Sequence, residues 1–111
     1  MNHDVILIGQ PGLGSGDAKL GGMILANFLR LLGERESLPE YIILWNEGVK
    51  IAVEGSPWLN HLKNLEDKGV KILSCQTCVE FFGLEGKIAV GEINGMAQIQ
   101  EILLSRRVLT V

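Results

Sequence analysis

Three short stretches of this chain, Val5-Ile-Leu-Ile8, Tyr41-Ile-Ile-Leu-Trp45 and Val70-Lys-Ile-Leu73, are nearly unbroken aliphatic runs, rich in β-branched residues. Each is too short for a helix, and none alternates strictly with polar residues as a half-solvated strand does. Such runs suit strands covered on both faces, which are found where a parallel sheet lies between helices. The segments joining them are long enough for helical crossovers. From about Asp17 to Leu32, the residues Leu20, Ile24, Phe28 and Leu31 or Leu32 share one face, with Asp17 or Ser15 to cap the start and Gly33 to end it. Ser56-Pro57 opens a second helix with Trp58, Leu59, Leu62 and Leu65 as its apolar stripe before Gly69. Thr77 and Glu80 have capping-box spacing, predicting a short helix from Cys78 to about Gly83. A last helix beginning at Asn94 turns Met96, Ile99, Ile102 and Leu103 inward, and Arg106 to Val111 reads as a closing strand. Two segments are ambiguous: Gly48 to Gly55 is strand-like or a helical turn, and Lys87 to Val90 is a short strand or a loop. The pattern predicts a three-layer α/β/α sandwich with a mostly parallel sheet of four to five strands and right-handed connections. With 111 residues and no linker or repeat, it is expected to be one domain, 1–111.

Composition narrows the function classes. Apolar residues form 47% of the chain and its mean hydropathy is high for so small a protein, so apolar surface is expected to remain for contacts between copies in a homo-oligomer. The net charge of −3 and the lack of a basic block argue against nucleic acid as a direct ligand. No apolar run approaches the roughly 20 residues that span a bilayer. The first residues lack the basic region and cleavage site of a signal peptide, so a cytoplasmic protein without membrane contact is expected.

In a layered α/β fold, the loops leaving the carboxyl ends of the strands form the working edge. Here these are Gln10 to Asp17, Asn46 to Glu54 and Ser74 to Thr77, with Gly12, Gly14, Gly16, Asp17, Asn46, Lys50, Gln76 and Thr77 as candidate lining residues. The glycines of the first loop invite a nucleotide reading, which the details oppose. The phosphate-binding lysine and the Ser/Thr that follows it are missing, because Asp17 and Ala18 follow Gly16. Gly12 and Gly14 fit the first two positions of a dinucleotide fingerprint, but Asp17 stands where its third glycine belongs and sets negative charge where phosphate would dock. A tight loop presenting backbone N–H groups is the simpler reading.

Cys75 and Cys78 are the chain's only cysteines, three residues apart where the third strand meets a helix. Thiolate is the reactive form and is favoured at a helix N-terminus, so this C-x-x-C pair suits nucleophilic or redox chemistry. The competing reading is packing, since free cysteine is among the most buried residue types. Structural zinc needs four ligands, and His3 and His61 lack the spacing to supply the other two. No metal or cofactor is expected. Glu47 and Glu54 read as solvated carboxylates or partner contacts. Trp58 reads as core, while Trp45 lies beside the active loop.

Taken together, Gly9-Gln-Pro-Gly-Leu-Gly-Ser-Gly-Asp17, Gly48-Val-Lys-Ile-Ala-Val-Glu-Gly-Ser56, Ser74-Cys-Gln-Thr-Cys-Val-Glu-Phe-Phe-Gly83 and Ala89-Val-Gly-Glu-Ile-Asn-Gly-Met96 resemble the DsrE/DsrF-like sulfurtransferase family. Within it, the chain is most similar to the C-terminal domain of YedF-type proteins linked to selenium metabolism. The resemblance implies a DsrEFH-like α/β/α fold, homo- or hetero-oligomers, and transport of sulfur as a cysteine persulfide between donor and acceptor proteins. The family's carrier cysteine ends a strand eight residues before a glycine that closes the next short helix, a relation that Cys75 and Gly83 match. Cys78 matches a second cysteine present in a subset and would resolve, share or protect the persulfide. A TusA-like domain with its own Cys-Pro motif usually accompanies the YedF-type domain and is not contained in these residues, so TusA-like proteins are among the partners implied. The functional expectation is a persulfide carrier or sulfurtransferase with Cys75 as a solvent-reachable thiol. The alternatives are a non-catalytic oligomeric interaction or ligand-binding module with structural cysteines, and a dithiol redox protein.

Overall fold

The computed structural model describes residues 3–111. Its five strands, β1 (Val5–Ile8), β2 (Tyr41–Leu44), β3 (Lys71–Cys75), β4 (Glu92–Asn94) and β5 (Val108–Thr110), form one sheet in the order β4-β3-β2-β1-β5, with every neighbouring pair parallel. The connections are α1 (Ala18–Leu32), a 3₁₀ segment (Asn46–Ala52) with α2 (Leu59–Asp67), α3 (Gln76–Phe81) and α4 (Met96–Ser105). The first three steps move across the sheet in one direction, and the last returns from β4 to the free side of β1. Crossovers of one hand then place the returning helix on the opposite face. The molecule is thus a three-layer α/β/α sandwich.

The uninterrupted apolar runs are explained by this double coverage. Ile6, Ile8, Ile42, Leu44 and Ile72 face α1, α2, the 3₁₀ segment and α3, meeting Leu25, Leu29, Leu62, Leu65, Val49, Ile51 and Val79. Val5, Leu7, Ile43, Leu73 and Cys75 face α4 and meet Ile99 and Ile102. Burying a large aliphatic side chain contributes about 1.5–3 kcal/mol. The alternation of faces along each strand therefore fixes the register of Leu7 beside Ile43 and of Ile43 beside Leu73.

Asp17 caps α1 as expected, its Oδ1 accepting the Leu20 N–H at 2.8 Å, and Gly33 ends the helix. The buried stripe of α1 differs from the expected one. It is Gly21, Leu25, Leu29 and Leu32, while Leu20, Ile24 and Leu31 are 56%, 41% and 52% exposed. The cause is close backbone contact between α1 and the first loop. The Leu13 N–H donates to the Gly21 carbonyl at 3.0 Å, and a Cβ on Gly12 would stand 3.0 Å from the Gly21 carbonyl carbon. The glycine side of α1 turns inward against the loop, a contact that apolar periodicity does not register. Trp58 secures the same helix by donating its indole N–H to the Gly22 carbonyl at 2.9 Å.

The remaining boundaries shift in instructive ways. Gly48 to Gly55 is mostly 3₁₀ helix, and beyond it Val53 forms an isolated antiparallel bridge with Ile88. The short helix α3 starts at Gln76 instead of Cys78, because β3 runs straight into it with Cys75 as the N-cap in extended conformation. Thr77 lies inside the first turn and the expected capping box is not used. Gly83, at φ 67°, ends the turn that follows. Asn94 belongs to β4, Gly95 caps α4, and Met96 is exposed where an inward position was expected.

Candidate functional site

The strand-to-helix junction after β3 places the two cysteines differently. Cys75 is the last residue of its strand and points toward α4, where its relative exposure is 1% and it packs in the cluster with Ile99 and Ile102. Cys78, one helical turn later, is half-buried and opens on a cavity of about 440 Å³ whose other walls are Trp45, Asn46, Thr77, Phe81, Phe82 and Met96. Both thiols are free. The expected solvent-reachable thiol, Cys75, is therefore the buried member, and Cys78 is the one that faces outward. Strand alternation decides this: β3 presents Leu73 and Cys75 to the face that α4 covers, and α3, beginning at Gln76, carries Cys78 round to the cavity.

The backbone N–H of Asn46 donates to Cys78 Sγ at 3.0 Å. Asn46 has φ 51°, in the left-handed region that asparagine tolerates better than most residues. This bend at the end of β2 aims the amide at the sulfur. Burial pushes the Cys78 thiol above its ordinary pKa, the Asn46 N–H pulls it down, and the hydrogen-bonded Cys75 thiol pushes it up again. At neutral pH the resting side chain is therefore a thiol, less ionised than a free cysteine. In a Cys75→Ala variant, burial persists as the main cause, and alkylation of Cys78 should still accelerate beyond about pH 9, where a free cysteine is mostly ionised. A plateau at or below about pH 8, measured by intact mass after timed iodoacetamide exposure, would contradict this arrangement.

Of the expected lining residues, Asn46 and Thr77 reach the cavity beside Cys78. Gly12, Gly14, Gly16 and Asp17 gather elsewhere, around a second hollow that Glu47 also borders. There Gln10 Nε2 donates to the Gly14 carbonyl at 2.9 Å, and Gly14 and Gly16 take φ 74° and 122°. Lys50 is not part of the cavity wall: its Nζ pairs with Glu47 at 3.2 Å and sits 4.5 Å from the centre of the Phe82 ring. Gln76 turns outward to donate to Glu80 at 3.2 Å. Ser74, buried on the face opposite Cys75, has no hydrogen-bond partner for its hydroxyl among the described residues. The cavity walls Phe81, Phe82 and Met96 were not among the candidates. The two phenylalanines follow Cys78 by three and four residues, the spacing that shares a helical face, and this was the available signal. Their rings meet edge to face with centroids 5.1 Å apart, and Phe81 is 82% exposed. Met96 comes from the next crossover, which local pattern does not reveal.

The sequence matches the model of the DsrE/DsrF-like family over residues 17–111. The chain belongs to the DsrE/DsrF-like family. Solved structures agree on the fold. The ychN protein from E. coli has a TM-score of 0.70 at 21% identity, covering 98% of this chain and 99% of its own. MTH1491 from Methanobacterium thermoautotrophicum scores 0.68 at 16% identity over 96% of both chains. BT1422 from Bacteroides thetaiotaomicron scores 0.65 at 19% identity, covering 97% of this chain and 95% of its own. No curated protein matches the chain. Among the described residues, no helix of this DsrE/DsrF-like chain is long and apolar enough to cross a membrane.

Proposed function

We propose that the protein relays sulfane sulfur between partner proteins through the cysteine pair at the end of β3, with Cys78 as the thiol that partners reach. The observation that carries this reading is a cavity-facing thiol held by a main-chain N–H at 3.0 Å and interacting with a second thiol. Family membership and the resemblance to persulfide carriers support it. The Cys78 thiolate attacks the outer sulfur of a donor persulfide, the donor's S–S bond breaks, and the donor leaves as thiolate while Cys78–S–SH forms. The Asn46 amide stabilises negative charge on Cys78 both before attack and when the sulfur is passed on. Because the resting thiol is poorly ionised, transfer gains from a docked partner that supplies the base.

The exposed Phe81 and Met96 at the cavity mouth give a donor or acceptor protein, TusA-like in the reading from resemblance, an apolar rim to bind. The outward Leu20, Ile24 and Leu31 of α1 suit contact between copies in a homo-oligomer. The YedF-type resemblance adds selenium as a second cargo.

Treatment with a persulfide donor and intact-mass analysis tests the proposal. The wild type and Cys75→Ala should gain about 32 Da, one sulfur atom, and Cys78→Ala should gain none. An adduct that instead requires Cys75 would move the carrier to the buried thiol. No adduct on any form would leave the interaction module, which the burial of Cys75 favours.

A further inference from the structure

We propose that Cys75 discharges sulfur from Cys78, releasing it as hydrosulfide and leaving a Cys75–Cys78 disulfide. This rests on the relay reading and adds a second outlet to it, used when no acceptor occupies the cavity. Cys75 is the N-cap of α3 and Cys78 its third residue, positions whose side chains are neighbours at the start of a helix. Both sulfurs border the apolar cluster beneath α4, and Cys78 alone of the two opens on the cavity. A second sulfur on Cys78 has room on the cavity side, and Cys75 lies on the buried side, within the cluster that Cys78 also borders. Displacement at sulfur requires this placement, with the attacking thiol opposite the leaving group.

The step balances internally. The Cys75 sulfur bonds to Cys78 Sγ, the bond from Cys78 Sγ to the outer sulfur breaks, and the Cys75 proton accompanies the departing sulfur. The sulfane sulfur is reduced to sulfide and the two thiols are oxidised to one disulfide. A small dithiol resets the pair, itself becoming a disulfide. An i, i+3 pair at a helix start lies within the Cα separation a disulfide accepts. The burial of Cys75 also acquires a purpose. Enclosed by Ile99 and Ile102, it is withheld from partner proteins and retains Cys78 as its reaction partner.

The experiment loads the full chain with a low-molecular-weight cysteine persulfide, removes the donor on a desalting column, and follows intact mass and hydrosulfide without reductant. In the wild type the adduct should give way to a species about 2 Da lighter than the dithiol, with about one hydrosulfide released per chain. In Cys75→Ala, and in Cys75→Val, which refills the buried site, the adduct should last at least about tenfold longer with no release. A wild-type adduct as long-lived as that of the two variants, with no lighter species, overturns the discharge step and leaves the relay intact. Failure of the wild type and both variants to take up sulfur overturns both.

Discussion

Gly48→Ala should lower the stability of the chain by about 3 kcal/mol or more and loosen the amide clamp on Cys78. Gly48 is buried in the 3₁₀ segment, and a Cβ there would overlap the carbonyl oxygen of Ile8 and lie 2.9 Å from the carbonyl carbon. These are backbone atoms at the end of β1, held in the sheet between β2 and β5, so no side-chain rotation relieves the overlap. The segment has to lift as a unit. Asn46 is two residues away, and the Gly48 N–H itself donates to the Trp45 carbonyl at 2.9 Å, so lifting carries the Asn46 N–H off the sulfur. Urea unfolding gives the first number, and the alkylation rate of Cys78 gives the second. A stability change under about 1 kcal/mol would show that the segment accommodates a methyl group and that the contact is not a constraint.

Ile99→Ala should cost about 2–5 kcal/mol and at the same time open Cys75 to thiol reagents. The two faces of the sheet are unequally protected. Several elements cover one of them, whereas α4 alone covers the other, with Ile99 and Ile102 as its buried residues. Removing most of the Ile99 side chain leaves a gap in the cluster that encloses the Cys75 sulfur. Denaturation midpoint and the rate of labelling in a Cys78→Ala background should change together. Leu104→Ala on the exposed side of the same helix should stay within about 0.5 kcal/mol and leave labelling unaltered. If Ile99→Ala destabilises the chain but Cys75 stays unreactive, the protection of that thiol comes from elsewhere.

The sheet was legible because its signal is local. Val5 to Ile8 and Tyr41 to Leu44 cannot be amphipathic, and only coverage on both faces makes such runs stable. Asp17 and Gly33 likewise marked α1 through the chemistry of their own backbone neighbours. What escaped was set by contacts distant in sequence. The orientation of α1 depends on Gly12 meeting Gly21, and hydrophobicity assigns no weight to that meeting. The cysteine motif was found, but which sulfur faces outward depends on where β3 ends. A shift of two residues in the start of α3 turned an expected surface thiol into a core one. Asn46 was identified as a loop residue, while the direction of its N–H arises from a single φ of 51°. Met96 joins the cavity through a crossover that no local spacing encodes.

The two flanking strands, β4 and β5, contain three residues each. A borrowed strand from another molecule would find too few main-chain partners on either flank to offset the entropy of ordering it. Lateral recruitment is thereby discouraged. Copies that meet must do so through side chains, leaving the ladder finite and the protein guarded against fibrous growth.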